Sequence, residues 1–265
     1  CSPASSLASV FAVQRTGGIA GVGASAVAAN ISFYANRVDE IVTDTIYPAI
    51  CAVTDRADLL LESFLKSNRM ALLWAVPLGL GGVLFAPDLV TFALGDHWRP
   101  AVFVIQAFAL AAAVNQIGFN WTAFYRALGR TRPLAVAAGV AALSVLTIAV
   151  PLLLWKGVDG FGVGMGVATL VYVALRLVYL GRIFPIRAVV ANTVGGIAPT
   201  LPALAAVLSV RALLGGGERE AAQVVGEVAL FMIVVVGLTA LLERELLQEF
   251  RAYLPRDRDE AAQPV

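Results

Sequence analysis

Charge is spaced along this chain in a way that leaves few folds open. No ionisable side chain stands between Arg99 and Arg126, between Arg132 and Lys156, or between Arg187 and Arg211. Intervals of this kind reach the ~20 residues that an α-helix needs to cross the hydrocarbon of a bilayer. In that medium a backbone must satisfy its own hydrogen bonds, which a helix does within one segment. The chain is 59% hydrophobic and 14% charged, against about 25% charged in an ordinary globular domain. The mean hydropathy is +0.82. The pattern predicts an all-α, polytopic membrane helical bundle with about seven to eight transmembrane helices. A net charge of +1 offers no basic surface to nucleic acid.

Walking along the chain gives the expected helices. A short first helix covers about 4–15 and is broken by Gly17 and Gly18. A second runs from about 26 to 53. An amphipathic connector follows, with Leu60, Leu61, Phe64 and Leu65 at the spacing of an interfacial helix. Further crossings are expected at about 69–86, 101–120, 133–155, 160–181, 188–210 and 223–242. Pro77 is expected to kink the crossing at 69–86, and Pro199 and Pro202 the one at 188–210. Gly160, Gly162, Gly164 and Gly166 read as a close-packing surface. The polar end beyond 242 reads as a tail. The Cys-Ser start, without an initiator Met, reads as a fragment beginning inside a longer protein; the mature end of a lipoprotein is the alternative.

Loop charges set the orientation. Arg56, Lys66, Arg69, Arg126, Arg130, Arg132, Arg182, Arg187 and four arginines beyond 243 fall on one side, and Arg99, Lys156, Arg211 and Arg219 on the other. The positive-inside rule then puts the richer side and the C-terminus in the cytoplasm. Trp74, Trp98, Trp121 and Trp155 fall near helix ends, as in an aromatic belt.

The second helix raises the functional question. It carries Arg37, Asp39, Glu40 and Asp44, and each ionisable group at a bilayer centre costs ~2.5–3.5 kcal/mol on insertion scales. Asn30, Tyr34, Arg37, Asp44, Pro48 and Cys51 follow three- and four-residue steps, which places them on one face. That face either lines a hydrophilic cavity, with Arg37 offered to an anionic substrate, or seals itself by pairing Arg37 with Glu40. A weaker stripe of Gln106, Gln116 and Asn120, with Asn115 beside it, could bond sugar hydroxyls or staple helices together. Arg176, six residues from Arg182, is expected to snorkel to the cytoplasmic interface.

No catalytic constellation is present. There is no phosphate-binding glycine loop and no nucleophile–histidine–acid set, and the outer loops carry no paired acids. His97 is the single histidine, and Cys1 and Cys51 are the two cysteines, so no metal-ligand spacing arises and no cofactor is called for. The chain reads as a transporter and not an enzyme.

Three stretches carry a family resemblance. "FALGDHWRPAV" at 92–102 looks like the glycine–tryptophan signature of Wzx-type oligosaccharide flippases. "FYRALGRTRP" at 124–133 is similar to the next cytoplasmic loop of that family. "YPAICAVTDRADLLLESFLKSNRMALLWAVPLGL" at 47–80 resembles its run from the eighth helix into the ninth. The family lies in the MOP superfamily with lipid II flippases and multidrug MATE exporters. The resemblance implies two six-helix lobes with two extra C-terminal helices, of which this chain is the C-terminal half. Residues 1–25 would be the remnant of a truncated helix and its loop, 26–185 the C-terminal lobe, 186–242 the two additional helices and 243–265 a cytoplasmic tail. The N-terminal lobe of the same protein would then be missing.

By the same resemblance the protein flips undecaprenyl-pyrophosphate-linked oligosaccharide across the inner, cytoplasmic membrane of a bacterium by alternating access. Its partners would be that lipid-linked substrate and the bilayer. The expected cavity residues are Arg37, Tyr34, Asp44, Gln116 and Asn120. Two alternatives stay open. One is an ion-coupled, MATE-like exporter of small molecules with Asp44 and Glu40 as coupling sites. The other is an integral membrane enzyme of polysaccharide assembly.

Overall fold

The structure is a computed structural model, and it describes residues 47–214, 219–244, 246 and 248. The expected first helix, most of the second, and with them Tyr34, Arg37, Asp39, Glu40 and Asp44, lie outside the described residues.

Among the described residues, 47–52 are helical, and after them come α1 (Ala57–Leu89), α2 (Val102–Asn115), α3 (Trp121–Ala127), α4 (Arg132–Ser144), α5 (Val150–Leu180), α6 (Ile186–Ile197), α7 (Thr200–Leu214) and α8 (Ala221–Leu242). A π-turn at Val90–Leu94 and a 3₁₀ turn at Asp96–Ala101 join α1 to α2, and a second π-turn at Val145–Ala149 joins α4 to α5. No strand occurs among the described residues.

The connector and the crossing after it are one helix. The amphipathic segment expected at the interface forms the first turns of α1, and Leu60 and Phe64 enter a core with Trp121, Phe124, Leu180 and Phe184. Its charges had been counted with those of the cytoplasmic side. Lys66 pairs with Glu62 one turn back, at 2.8 Å, and Arg69 finds partners on other helices. Pro77 stands inside α1 without ending it.

Among the described residues, five stretches are long and apolar enough to cross a membrane: Ala57–Leu94, His97–Asn115, Arg132–Leu180, Ile186–Leu214 and Ala221–Leu242. The third is 49 residues long, more than twice what one crossing needs. It reverses at Gly157, whose φ of 65° and ψ of −148° lie outside the helical region and strain any residue bearing a Cβ. On the return arm, a Cβ on Gly164 would stand 2.5 Å from the Ala149 Cα, and one on Gly160 would collide with the Leu152 carbonyl. Of the expected glycine surface, Gly160 and Gly164 therefore pack closely within their own helical hairpin, whereas a Cβ on Gly166 would meet nothing within 4 Å. Gly162 faces the other way, toward Ala107 of α2.

α1 is the central element, in contact with α2, α6, α7 and α8. Its Gly79 and Gly82 meet Ala109 and Ala113 of α2, and Leu72 packs on Gly196 of α6. α7 and α8 close against each other and against α1 through Ala203, Val207, Phe231 and Val235, with Leu84 and Phe85 beside them. Large apolar side chains such as Leu143, Leu170, Val178, Ile233 and Val236 face outward. A multi-pass membrane protein presents such a surface to lipid. Near Pro199 the helix expected at 188–210 stops at Ile197 and resumes at Thr200.

Candidate functional site

The expected crossing at 101–120 does not run through. α2 stops at Asn115, and residues 116–120 form turns before α3. Gly118 permits this: its φ is +67°, and a Cβ there would lie 2.5 Å from Leu180 Cδ1. A helix stopped inside an apolar bundle leaves carbonyls without partners. Here Arg176 supplies them. Its Nη1 donates to the carbonyls of Asn115 at 2.5 Å and Ile117 at 2.9 Å, and its Nη2 to Asn115 Oδ1 at 3.1 Å. A cation at the carboxyl end of a helix also suits the helix dipole. Arg176 is 3% exposed and lies 4.7 Å from the Tyr172 ring. It does not snorkel to the surface, because the broken helix offers a better set of acceptors than water would.

The opposite side of the break is polar as well. Asn68 of α1 donates from Nδ2 to the Gln116 carbonyl at 2.9 Å, and Asn120 Nδ2 donates to Ser67 Oγ at 2.5 Å. Gln116 and Asn120, both expected to line a cavity, are thus brought together on one turn and buried against α1. Gln106, on the same sequence stripe, donates to the Val83 carbonyl at 2.9 Å. Asn68 Oδ1, Asn120 Oδ1 and Trp121 Nε1 are enclosed with no hydrogen-bond partner among the described residues. Trp121, expected in an aromatic belt, is a core residue stacked on Tyr179 at 5.9 Å. Trp155, at the hairpin tip, is 77% exposed. Cys51 is exposed.

Charged clusters tie α1 to later parts of the chain at two levels. More than three turns into α1, Arg69 Nε donates to Glu243 Oε1 at 3.0 Å and Nη1 to the Asn192 carbonyl at 2.8 Å. Near its end, Asp88 and Glu227 share two arginines. Arg211 reaches Asp88 at 3.2 Å and Glu227 at 2.8 Å; Arg219 reaches Asp88 at 2.5 Å and also bonds Glu227. Two cations and two anions leave the quartet neutral. Asp88 and Glu227 had drawn no attention in the sequence. Their only signal there is that Glu227 interrupts an otherwise apolar segment.

The glycine–tryptophan stretch is structural. The Gly95 N–H donates to the Val90 carbonyl at 2.7 Å, the Trp98 N–H to the Gly95 carbonyl at 3.0 Å, and Trp98 packs against Val90, Ala101 and Val104. It turns the chain from α1 into α2. Among the described residues no group of three or more His, Cys, Asp or Glu is placed to hold a metal ion.

The fold and these features define a polytopic membrane helical bundle. A family model described as polysaccharide biosynthesis protein matches residues 13–103, which takes in two of the three stretches on which the sequence resemblance rests. Among solved structures, the lipid II flippase MurJ in its inward closed conformation shares the fold, with a TM-score of 0.59 and 15% sequence identity. The match covers 83% of this chain and 48% of that one, so the chain spans about half the length of the flippase. No curated protein matches the sequence. The family model covers about a third of the chain and the structural match shows the shared fold; both agree with the resemblance read from the sequence.

Proposed function

We propose that the chain is the C-terminal part of a flippase that moves undecaprenyl-pyrophosphate-linked oligosaccharide across the bacterial inner membrane by alternating access, for cell-surface polysaccharide synthesis. The observation that carries this reading is the polysaccharide biosynthesis match over residues 13–103 on a lobe with the fold of a lipid II flippase. The N-terminal lobe of the same protein would supply the other wall of the cavity, and the C-terminus would face the cytoplasm. In this reading Arg37 offers a bidentate fork to the pyrophosphate, with Tyr34 and Asp44 on the same face and Glu40 on its shoulder.

Gln116 and Asn120 acquire a second role in this reading. The turn they form interrupts a membrane helix, and around it three enclosed polar atoms have no hydrogen-bond partner among the described residues. Each such atom costs about 1–3 kcal/mol, which suits a segment that exchanges partners when the lobe changes state.

The test is Arg37→Ala in the full-length protein. Export of surface polysaccharide should be lost while the amount of protein in the membrane is unchanged, and Arg37→Lys should keep part of the activity because charge survives without the fork. Wild-type export from the alanine variant would remove Arg37 from the mechanism.

A further inference from the structure

The end of the bundle at which α4 begins and α5 ends brings three arginines together from two chain segments. Arg130 and Arg132 flank Thr131 at the start of α4, and Arg182 follows α5. With Tyr125, Gly129, Pro133 and Tyr179 they line a cleft of about 430 Å³. Its floor is fixed: the Tyr125 hydroxyl donates to the Tyr179 carbonyl at 2.9 Å, and the Arg182 guanidinium lies 5.1 Å from the Tyr179 ring. Burial pushes the Tyr125 hydroxyl up, so the floor adds no negative charge.

Among the described residues no carboxylate lines the cleft, and the sequence of the segments that form it agrees. Between Asp96 and Glu218 the one acidic residue is Asp159, which sits beside the Gly157 reversal at the other end of the hairpin. Asp55, Asp58 and Glu62 begin α1 at the same end as the cleft but do not line it. Among the described residues, none of Arg130, Arg132 and Arg182 pairs with an acid. Three like charges converging on one space, without a counter-ion among the described residues, call for an anion from outside.

Position narrows the choice of anion. The apolar stretch runs from Arg132 to Leu180 and turns back at Gly157, so both of its ends lie on one side, at the edge of the hydrocarbon. Arg132 opens that stretch and Arg182 stands two residues beyond its close. Phosphate groups of the bilayer lie at this level, and a guanidinium fork matches phosphate oxygens two at a time. We propose that the cleft binds the phosphate of an anionic phospholipid headgroup from the surrounding bilayer. This site is separate from Arg37 and does not depend on the transport reading.

Native mass spectrometry of the full-length protein, titrated with phosphatidylglycerol or phosphatidylcholine in detergent, tests the proposal. Phosphatidylglycerol should be retained in preference. The triple variant R130Q/R132Q/R182Q should bind it about tenfold more weakly, and R130Q or R182Q alone about threefold, as expected for loss of charge-assisted bonds. The charge-matched triple R56Q/R126Q/R187Q removes exposed arginines that do not line the cleft and should change retention by less than about twofold. Equal losses in the two triples would mean diffuse attraction and would overturn the site, as would single variants that bind like the unaltered protein. Inorganic phosphate at millimolar concentration should leave the lipid bound; full displacement would make free phosphate the ligand. Polysaccharide export, measured separately, reports on the transport reading alone.

Discussion

Arg176 closes the helix that ends at Asn115, donating to its carbonyl at 2.5 Å and to its side-chain oxygen at 3.1 Å. One side chain from the return arm of the hairpin thereby stabilises a break in a different membrane helix. Arg176→Met should lower stability by about 3 kcal/mol, because the acceptors lose a charged donor and stay buried. Arg176→Lys should lose about half as much, since an ammonium reaches one carbonyl but lacks the planar fork. Thermal unfolding of the detergent-purified protein checks both, and an unchanged midpoint in the Met variant would show that the break is held by other contacts.

The hairpin makes an internally controlled prediction. Gly164→Ala places a methyl group 2.5 Å from the Ala149 Cα, whereas Gly166→Ala meets nothing within 4 Å. The first should destabilise by about 1–3 kcal/mol through overpacking. The second should gain about 0.5–1 kcal/mol from helix propensity. Melting temperatures that shift in the same direction for the two variants would contradict the close approach of the arms.

For the charge quartet, removing either acid leaves arginines short of an anion in a partly buried site. Asp88→Asn and Glu227→Gln should each cost about 3 kcal/mol. The two acids share both arginines, so the double variant should depart from additivity by about 1 kcal/mol or more. A double-mutant cycle on unfolding measures this term, and strict additivity would mean that the acids act independently.

Topology can be read directly with fused reporters. Gly129 and Gly157 stand at opposite ends of the α4–α5 hairpin, so a fusion at Gly129 should report cytoplasm and one at Gly157 the outer side. Fusions at Asp96 and Gly216 should agree with Gly157, and one after Leu254 with Gly129. Matching signals from Gly129 and Gly157 would mean that Arg132–Leu180 does not double back across the bilayer.

The spans were legible because hydrocarbon enforces a simple rule. Apolar runs of helix length had to be crossings, and the charges at Arg132, Lys156, Arg187 and Arg211 marked their ends. The glycine series from Gly160 was legible for a related reason, since small residues in a membrane helix mark close approach. The break after Asn115 was not legible as a break. Its residues are polar or small enough to pass within a membrane helix, and what stabilises the interruption is Arg176, 61 residues away. Arg69 misled in the same way: in sequence it looks like loop charge, but its carboxylate partner, Glu243, lies 174 residues further on. Local pattern reports the solvent around a segment, whereas these partners are set by tertiary packing. Of the candidate site, Gln116 and Asn120 stood out in the sequence as polar exceptions, yet their mutual placement on one buried turn required the fold.

The quartet around Asp88 also has an order in time. Asp88 leaves the ribosome 123 residues ahead of Arg211 and 131 ahead of Arg219. At about 5–20 residues per second, its first arginine follows after roughly 6–25 seconds. During that interval the end of α1 holds a carboxylate with neither of its final partners. Neutralisation of Asp88 therefore waits for α7 and the segment that leads into α8, and a chain stopped before Arg211 would hold that acid at the end of α1 without either arginine.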